Sequence, residues 1–173
     1  MPIKNTLASG LSIFCLVLAP GFGAAAMAAD SPGGEIRVDI PVVLKNAKVL
    51  FDIGRAPLAG DIPVALRFMD IMANRFAEQG TKGRIVGVFY GEATYLLLND
   101  VAYNASRRVT TGNPYKGLIS RLQGQGVQIE VCGTAMMLQK IRNDDLLPEV
   151  KVNGGANLRM VQLMQEGFVR LQP

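Results

Sequence analysis

Along residues 48–171 the apolar positions switch between two spacings, and each switch marks an element. Val49-Leu50-Phe51-Asp52-Ile53 is a short apolar run closed by Gly54, which predicts a strand, and the loop after it passes through Pro57 and Gly60. Pro63 opens a helix at the first-turn position where proline is tolerated. Ala65, Leu66, Met69, Met72, Ala73 and Phe76 then recur at helical spacing up to Gly80. Arg84 to Tyr90 is almost wholly apolar, as expected of a strand covered on both faces. A helix from about Thr94 to Ala105 follows, and Asn113-Pro114 starts another that runs to Gln123 and stops at Gly124 and Gly126.

Val127 to Val131 alternates like a strand, with Cys132 at its carboxyl end. Thr134 to Ile141 reads as a short helix with Thr134 as its N-cap. Val150-Lys151-Val152 is a further strand, Asn153-Gly154-Gly155 a turn, Ala156 to Gln165 a helix that Gly167 terminates, and Phe168 to Leu171 a last strand. Strand and helix alternate throughout, without repeats or linkers. That order predicts an α/β domain with a mostly parallel sheet of about five strands and helices on both faces. Ligands of such sheets sit beyond the carboxyl ends of the strands. Gly54–Gly60, Tyr90–Thr94, Cys132–Ala135 and Asn153–Ala156 are therefore the loops to search.

The first residues follow a different pattern. A polar start with Lys4, an apolar run from Leu11 to Leu18, then Pro20, Gly21 and an alanine-rich tail are the three regions of a secretory signal peptide. Ala26-Met27-Ala28 supplies small residues for cleavage, with Ala24-Ala25-Ala26 as an alternative. The run is shorter than the roughly 20 residues that span a bilayer, and no later segment is long enough. Ser12-Ile13-Phe14 before Cys15 lacks the small residue of a lipobox. The expected organisation is a signal peptide over 1–29, an arm over 30–46 in which Pro41 argues against a central strand, and one α/β domain over 47–173. Export to the periplasm is expected, with no membrane span after cleavage.

Composition then narrows the chemistry. If Cys15 leaves with the signal, Cys132 is the one remaining thiol of the two cysteines, an unusual usage for an exported chain. The chain has no histidine, which removes Cys-His and Ser-His-Asp catalysis and histidine-ligated metals. A single thiol removes CxxC redox chemistry and a thiolate zinc cage. No metal or cofactor is expected. The formal net charge of +4 is scattered along the chain, and reads as a solvated basic face and not a nucleic-acid footprint. Without tryptophan, a sugar-stacking site is not expected.

Two readings of Cys132 stand open. A thiol followed directly by a helix meets backbone N–H groups and the positive end of the helix dipole, which suits a nucleophile or a sulfur acceptor, and Gly133 leaves access to the sulfur. Free cysteine is also among the most buried residue types, so Cys132 could equally fill the core at a strand end. In the second case the strand-end pocket is that of a non-catalytic α/β module binding a small anion or metabolite.

Gly126-Val127, Val131-Cys132-Gly133, Asp145-Leu146-Leu147-Pro148, Asn153-Gly154-Gly155 and Leu163-Met164-Gln165-Glu166-Gly167-Phe168, with Pro173 at the end, resemble the DsrE/DsrF-like family over about residues 46–173. The resemblance implies a three-layer α/β sandwich, assembly as a homo-oligomer (trimer or hexamer), and a role in sulfur relay. A cysteine in this loop then accepts sulfur as a persulfide from a donor protein or small sulfur anion and passes it on, a role that maps onto Cys132. Tyr90 stands where related sequences often carry histidine. Gly133 to Leu138 lacks the basic residue with which a rhodanese loop cradles its anion, so a carrier is favoured over a fast sulfurtransferase.

The remaining candidates line the same edge. Tyr90, Gly91 and Glu92 can border a pocket beside the thiol, with Tyr90 donating to a bound sulfur species; a strand-end aromatic packed under a loop is the plainer role. Gly133 and Thr134 open the helix after Cys132. Asn153 and Gly154 can present N–H groups to an anion or form a tight turn. Asp144 and Asp145 read as turn caps, and Lys140 and Arg142 as cations near enough in sequence to draw an anion. Met136, Met137, Met160 and Met164 are expected in the core or a subunit interface.

Overall fold

The computed structural model describes residues 36–173. The expected signal peptide, with Cys15, and the first part of the arm lie outside the described residues. Residues 36–45 form no strand, and Pro41–Pro173 is a compact unit of its own. Its first residues are tied down by backbone capture: Gln79 Nε2 donates to the Val42 carbonyl and Thr81 Oγ1 to that of Leu44.

The regular elements are β1 (Asn46–Ile53), β2 (Leu58–Ala59), β3 (Ile62–Pro63), α1 (Val64–Gln79) and β4 (Lys82–Phe89), then α2 (Asp100–Arg107), α3 (Lys116–Gly124) and β5 (Gln128–Cys132), and finally α4 (Gly133–Gln139), β6 (Lys151–Asn153), α5 (Ala156–Gln165) and β7 (Val169–Leu171). Short 3₁₀ turns cover Gly91–Leu97 and Asn143–Asp145. Five strands form one sheet in the order β6-β5-β4-β1-β7, every pair parallel, while β2 and β3 make a separate two-residue hairpin. The expected three-layer α/β architecture is thus present.

Connectivity decides which helix covers which face. From β1 the chain steps outward through β4 and β5 to β6, then α5 carries it back over three strands to β7 on the far side of β1. Right-handed crossovers running in opposite directions must lie on opposite faces. The cores agree: Phe51, Ile53, Ile85, Phe89, Ile129 and Val131 pack with Leu66 and Met69 of α1 and Ile119 and Leu122 of α3. On the other face Leu50, Val86, Val88 and Cys132 pack with Ala156, Met160 and Leu163 of α5. Alternate residues of β1, β4 and β5 therefore serve different cores, which is why β1 and β4 read as continuous apolar runs.

The structure departs from the sequence reading at three places. The helix expected over Thr94–Ala105 is two pieces, because Asn113, buried, donates its amide to the Leu96 and Leu98 carbonyls and Leu98 bridges to Leu146. Asn99 then caps α2 by accepting from the Ala102 N–H. Asn113-Pro114 consequently belongs to the turn before α3. Pro63 ends the small hairpin and is the N-cap of α1, its φ of −56° suiting the entry while its missing N–H costs nothing there. Finally, Cys132 and not Thr134 is the N-cap residue of the short helix after β5.

The two sides of α5 should respond differently to truncation. Leu163→Ala, at a side chain with no exposure, should cost about 2–5 kcal/mol in urea unfolding. Leu158→Ala, 78% exposed, should stay within about 0.5 kcal/mol; a large loss there would contradict this packing.

Candidate functional site

Strand register brings most of the sequence-predicted residues into one row. Ile53 pairs with Phe89 and Phe89 with Val131, so Gly54, Tyr90 and Cys132 follow one another across the carboxyl edge, and Cys132 itself pairs with Asn153. Residues in one row of a parallel sheet face the same side. Cys132 lies on the α5 side, 6% exposed, with Tyr90 packed against the same cluster.

The sulfur meets a different helix from the one expected. Sγ of Cys132 accepts a hydrogen bond from the Ala156 N–H at 3.3 Å, in the first turn of α5, and its side chain makes no capping bond to α4. Gly133 matters for close approach: a Cβ there would lie 2.9 Å from the Asn153 carbonyl, so β5 and β6 could not end side by side with any larger residue. Thr134 is exposed on α4. Asn153 is occupied at both ends of its amide, Nδ2 donating to Glu130 Oε2 and Oδ1 accepting from the Gly155 N–H. It shapes the turn that delivers Ala156 to the sulfur. Gly154 is exposed with open space around it. Gly91 turns the chain after β4 at φ +55°.

Two residues before the thiol is a group that the sequence reading missed. Glu130 is buried on the α5 face, and its carboxylate takes Arg159 Nε and Nη2 at 3.0 and 2.9 Å, Gln128 Nε2 at 2.6 Å and Asn153 Nδ2. Burial alone would raise its pKa, but the hydrogen bonds from Arg159, Gln128 and Asn153 hold it below the ordinary glutamate value. The Arg159 guanidinium is raised in turn, first by that hydrogen bond. The signal in the sequence was the acidic residue between Ile129 and Val131, inside a strand buried on both faces.

A second missed carboxylate lies on β1. Asp52, 1% exposed, receives Arg170 of β7 on Oδ2, Nε at 2.9 Å and Nη2 beside it. It borders an open cavity of about 990 Å³ beyond the ends of β1 and β4, with Gly54, Tyr90, Tyr95 and Arg107 on its walls. A Cβ on Gly54 would come within 2.8 Å of the Tyr90 ring, so the glycine makes room for that side chain. Burial, then the Asp52 carboxylate, raises the Tyr90 pKa, which keeps the phenol neutral. Cys132 is not among the residues lining this cavity. Lys140 and Arg142 are also outside it; Arg142 faces Asp145, whose carboxylate accepts the Arg142 N–H and caps the turn as expected. Among the described residues no group of three or more acidic, cysteine or histidine side chains could hold a metal, and no helix is long and apolar enough to cross a membrane.

The model of the DsrE/DsrF-like family matches residues 48–171. The chain belongs to the DsrE/DsrF-like family. A solved structure, that of the protein of unknown function MTH1491 from Methanobacterium thermoautotrophicum, superposes with a TM-score of 0.59 at 24% identity, over 73% of this chain and 99% of that one. It bears out the fold of this DsrE/DsrF-like domain. No curated protein matches the chain.

Acid should loosen the α5 face of the DsrE/DsrF-like domain. A carboxyl held below its unfolded pKa contributes stability that is present above the unfolded value, about 4.3 for glutamate, and lost as pH falls through the folded value. Unfolding free energy from urea titrations should therefore fall on acidification below about pH 4.3. Glu130→Gln should show a shallower fall; an unchanged pH slope would remove Glu130 from this role.

Proposed function

We propose that this DsrE/DsrF-like protein is a sulfur carrier in a sulfur relay, exported to the periplasm and assembled as a homo-oligomer, with Cys132 as the residue that takes up sulfur. The observation that carries the reading is the hydrogen bond from the Ala156 N–H to Cys132 Sγ at the carboxyl edge of the sheet. An N–H at the start of a helix, together with the helix dipole, is the donor a sulfur anion needs. The Asn153 turn fixes its position.

In the proposed step the Cys132 thiolate attacks the outer sulfur of thiosulfate. The sulfur–sulfur bond of the donor breaks, sulfite leaves with the electron pair, and Cys132 keeps the sulfur as a persulfide anion. With a persulfide donor, the donor's thiolate leaves instead. Near-complete burial keeps the adduct away from water, and the uncharged residues Gly133 to Leu138 of α4 supply no cationic cradle for rapid turnover. Both features suit carriage, in which an acceptor thiolate later removes the outer sulfur.

Intact-mass measurement after incubation with thiosulfate or a low-molecular-weight persulfide should give a gain of about 32 Da that dithiothreitol removes. Cys132→Ser should show no such adduct. A Cys132 that stays unmodified with both donors would overturn the carrier reading.

A further inference from the structure

Cys132 shares the covered side of β5 with one charged group. Glu130 points to the same side, two residues or about 6.6 Å earlier on the strand, and is likewise buried. Ala156 and Arg159 are three residues apart and so share one side of α5. Two rungs therefore join the strand to the helix: the Ala156 N–H donates to Cys132 Sγ at 3.3 Å, and the Arg159 guanidinium donates to Glu130 through Nε at 3.0 Å and Nη2 at 2.9 Å. A third link closes the corner, since Asn153 Nδ2 donates to Glu130 Oε2 and Asn153 Oδ1 accepts from the Gly155 N–H, one residue before Ala156. Neither Glu130 nor Arg159 hydrogen-bonds the sulfur; their bonds go to each other, to Gln128, to Asn153 and to Gln162.

Apolar contacts alone do not set where α5 stops along its axis. Ala156, Met160 and Leu163 pack with Leu50, Val86 and Val88, contacts that have no direction, and methionine adapts to small shifts. A slide by one residue moves a helix about 1.5 Å along its axis, enough to carry the Ala156 N–H out of reach of the sulfur. The fork of an arginine on a carboxylate is directional and resists that slide. As a source of stability the pair is replaceable, because hydrocarbon of similar volume serves as well. As a stop for the helix it is not.

We propose that Glu130 and Arg159 are positioning residues for Cys132: their ion pair holds the first turn of α5 where the Ala156 N–H meets Sγ, and so sets the reactivity of the thiol. This role rests on the reading of Cys132 as the sulfur-bearing residue.

Alkylation of Cys132 by iodoacetamide, followed on the Cys132 peptide of the full chain over the pH range in which thiols ionise, tests this. In Glu130→Gln the curve of rate against pH should move to higher pH, and the rate below its midpoint should fall about tenfold or more, the loss that goes with a hydrogen bond to a charged group. Tyr90 on β4, Asp52 on β1 and Lys151 on β6 face the same side of the sheet and stay unchanged. A merely structural pair would alter access to the thiol and scale the rate equally at every pH. The lost negative charge acting through space would move the curve to lower pH, because a thiolate forms more readily without it. Either result, or an unmoved curve, would overturn the proposal. Should Glu130→Gln not fold, the double variant Glu130→Leu with Arg159→Met replaces the pair by hydrocarbon and decides by the same shift to higher pH. Iodoacetamide reads the thiol without any sulfur donor. A wild-type chain that takes up no sulfur therefore removes the carrier reading, while an unmoved alkylation curve removes the positioning.

Discussion

Returning from β6 to β7 takes the chain across three strands in the direction opposite to its earlier steps, and handedness places α5 alone on that face of the sheet. The consequences reach both buried carboxylates of the domain. The other face is closed by α1, α3 and the turn after β4, and carries no buried charge; its buried polar side chains are Thr94 and Asn113. The α5 face must be closed by one ten-residue helix, and there Leu50, Val86 and Val88 share the sheet with Asp52, Glu130 and Cys132. A single amphipathic helix gives a narrow apolar stripe. The positions it cannot cover with hydrocarbon are where the two carboxylates sit.

Both carboxylates are answered by arginines from the last crossover, Arg159 on α5 and Arg170 on β7. Such pairs add little net stability over well-packed hydrocarbon, but removing one partner strands a buried charge. They therefore hold the final helix and strand in one register against β5 and β1. The Ala156 N–H belongs to the same helix as Arg159, so the ion pair with Glu130 and the contact to Cys132 are two consequences of one docking. The Asp52 pair differs in being incomplete, and it is the incomplete one that borders open space.

The apolar runs of β1 and β4, the alternation of β5 and the spacing of α1 and α5 were legible in the sequence because each is a local pattern repeated over several residues. What was not legible depended on distant partners. The break at Leu98 needs Asn113 and Leu146, neither of which a window on Thr94–Ala105 contains. For the site, Tyr90, Cys132 and Asn153 could be placed at strand ends from connectivity alone, and the register puts them side by side. The donor to the sulfur could not be foreseen: a helix directly after Cys132 was visible, whereas the approach of α5 depends on the crossover. Asp52 and Glu130 read only as polar positions within strands, and their meaning comes from arginines 118 and 29 residues away.

Both margins of the sheet are three-residue strands, β6 and β7, carrying Lys151 and Arg170. So short a row of free backbone groups, marked with charge, is a poor template for another strand. The β1 and β4 ladders, eight residues long, are sealed inside. The fold thus guards against growth by strand addition, and two such domains that meet are directed to do so through helices and loops.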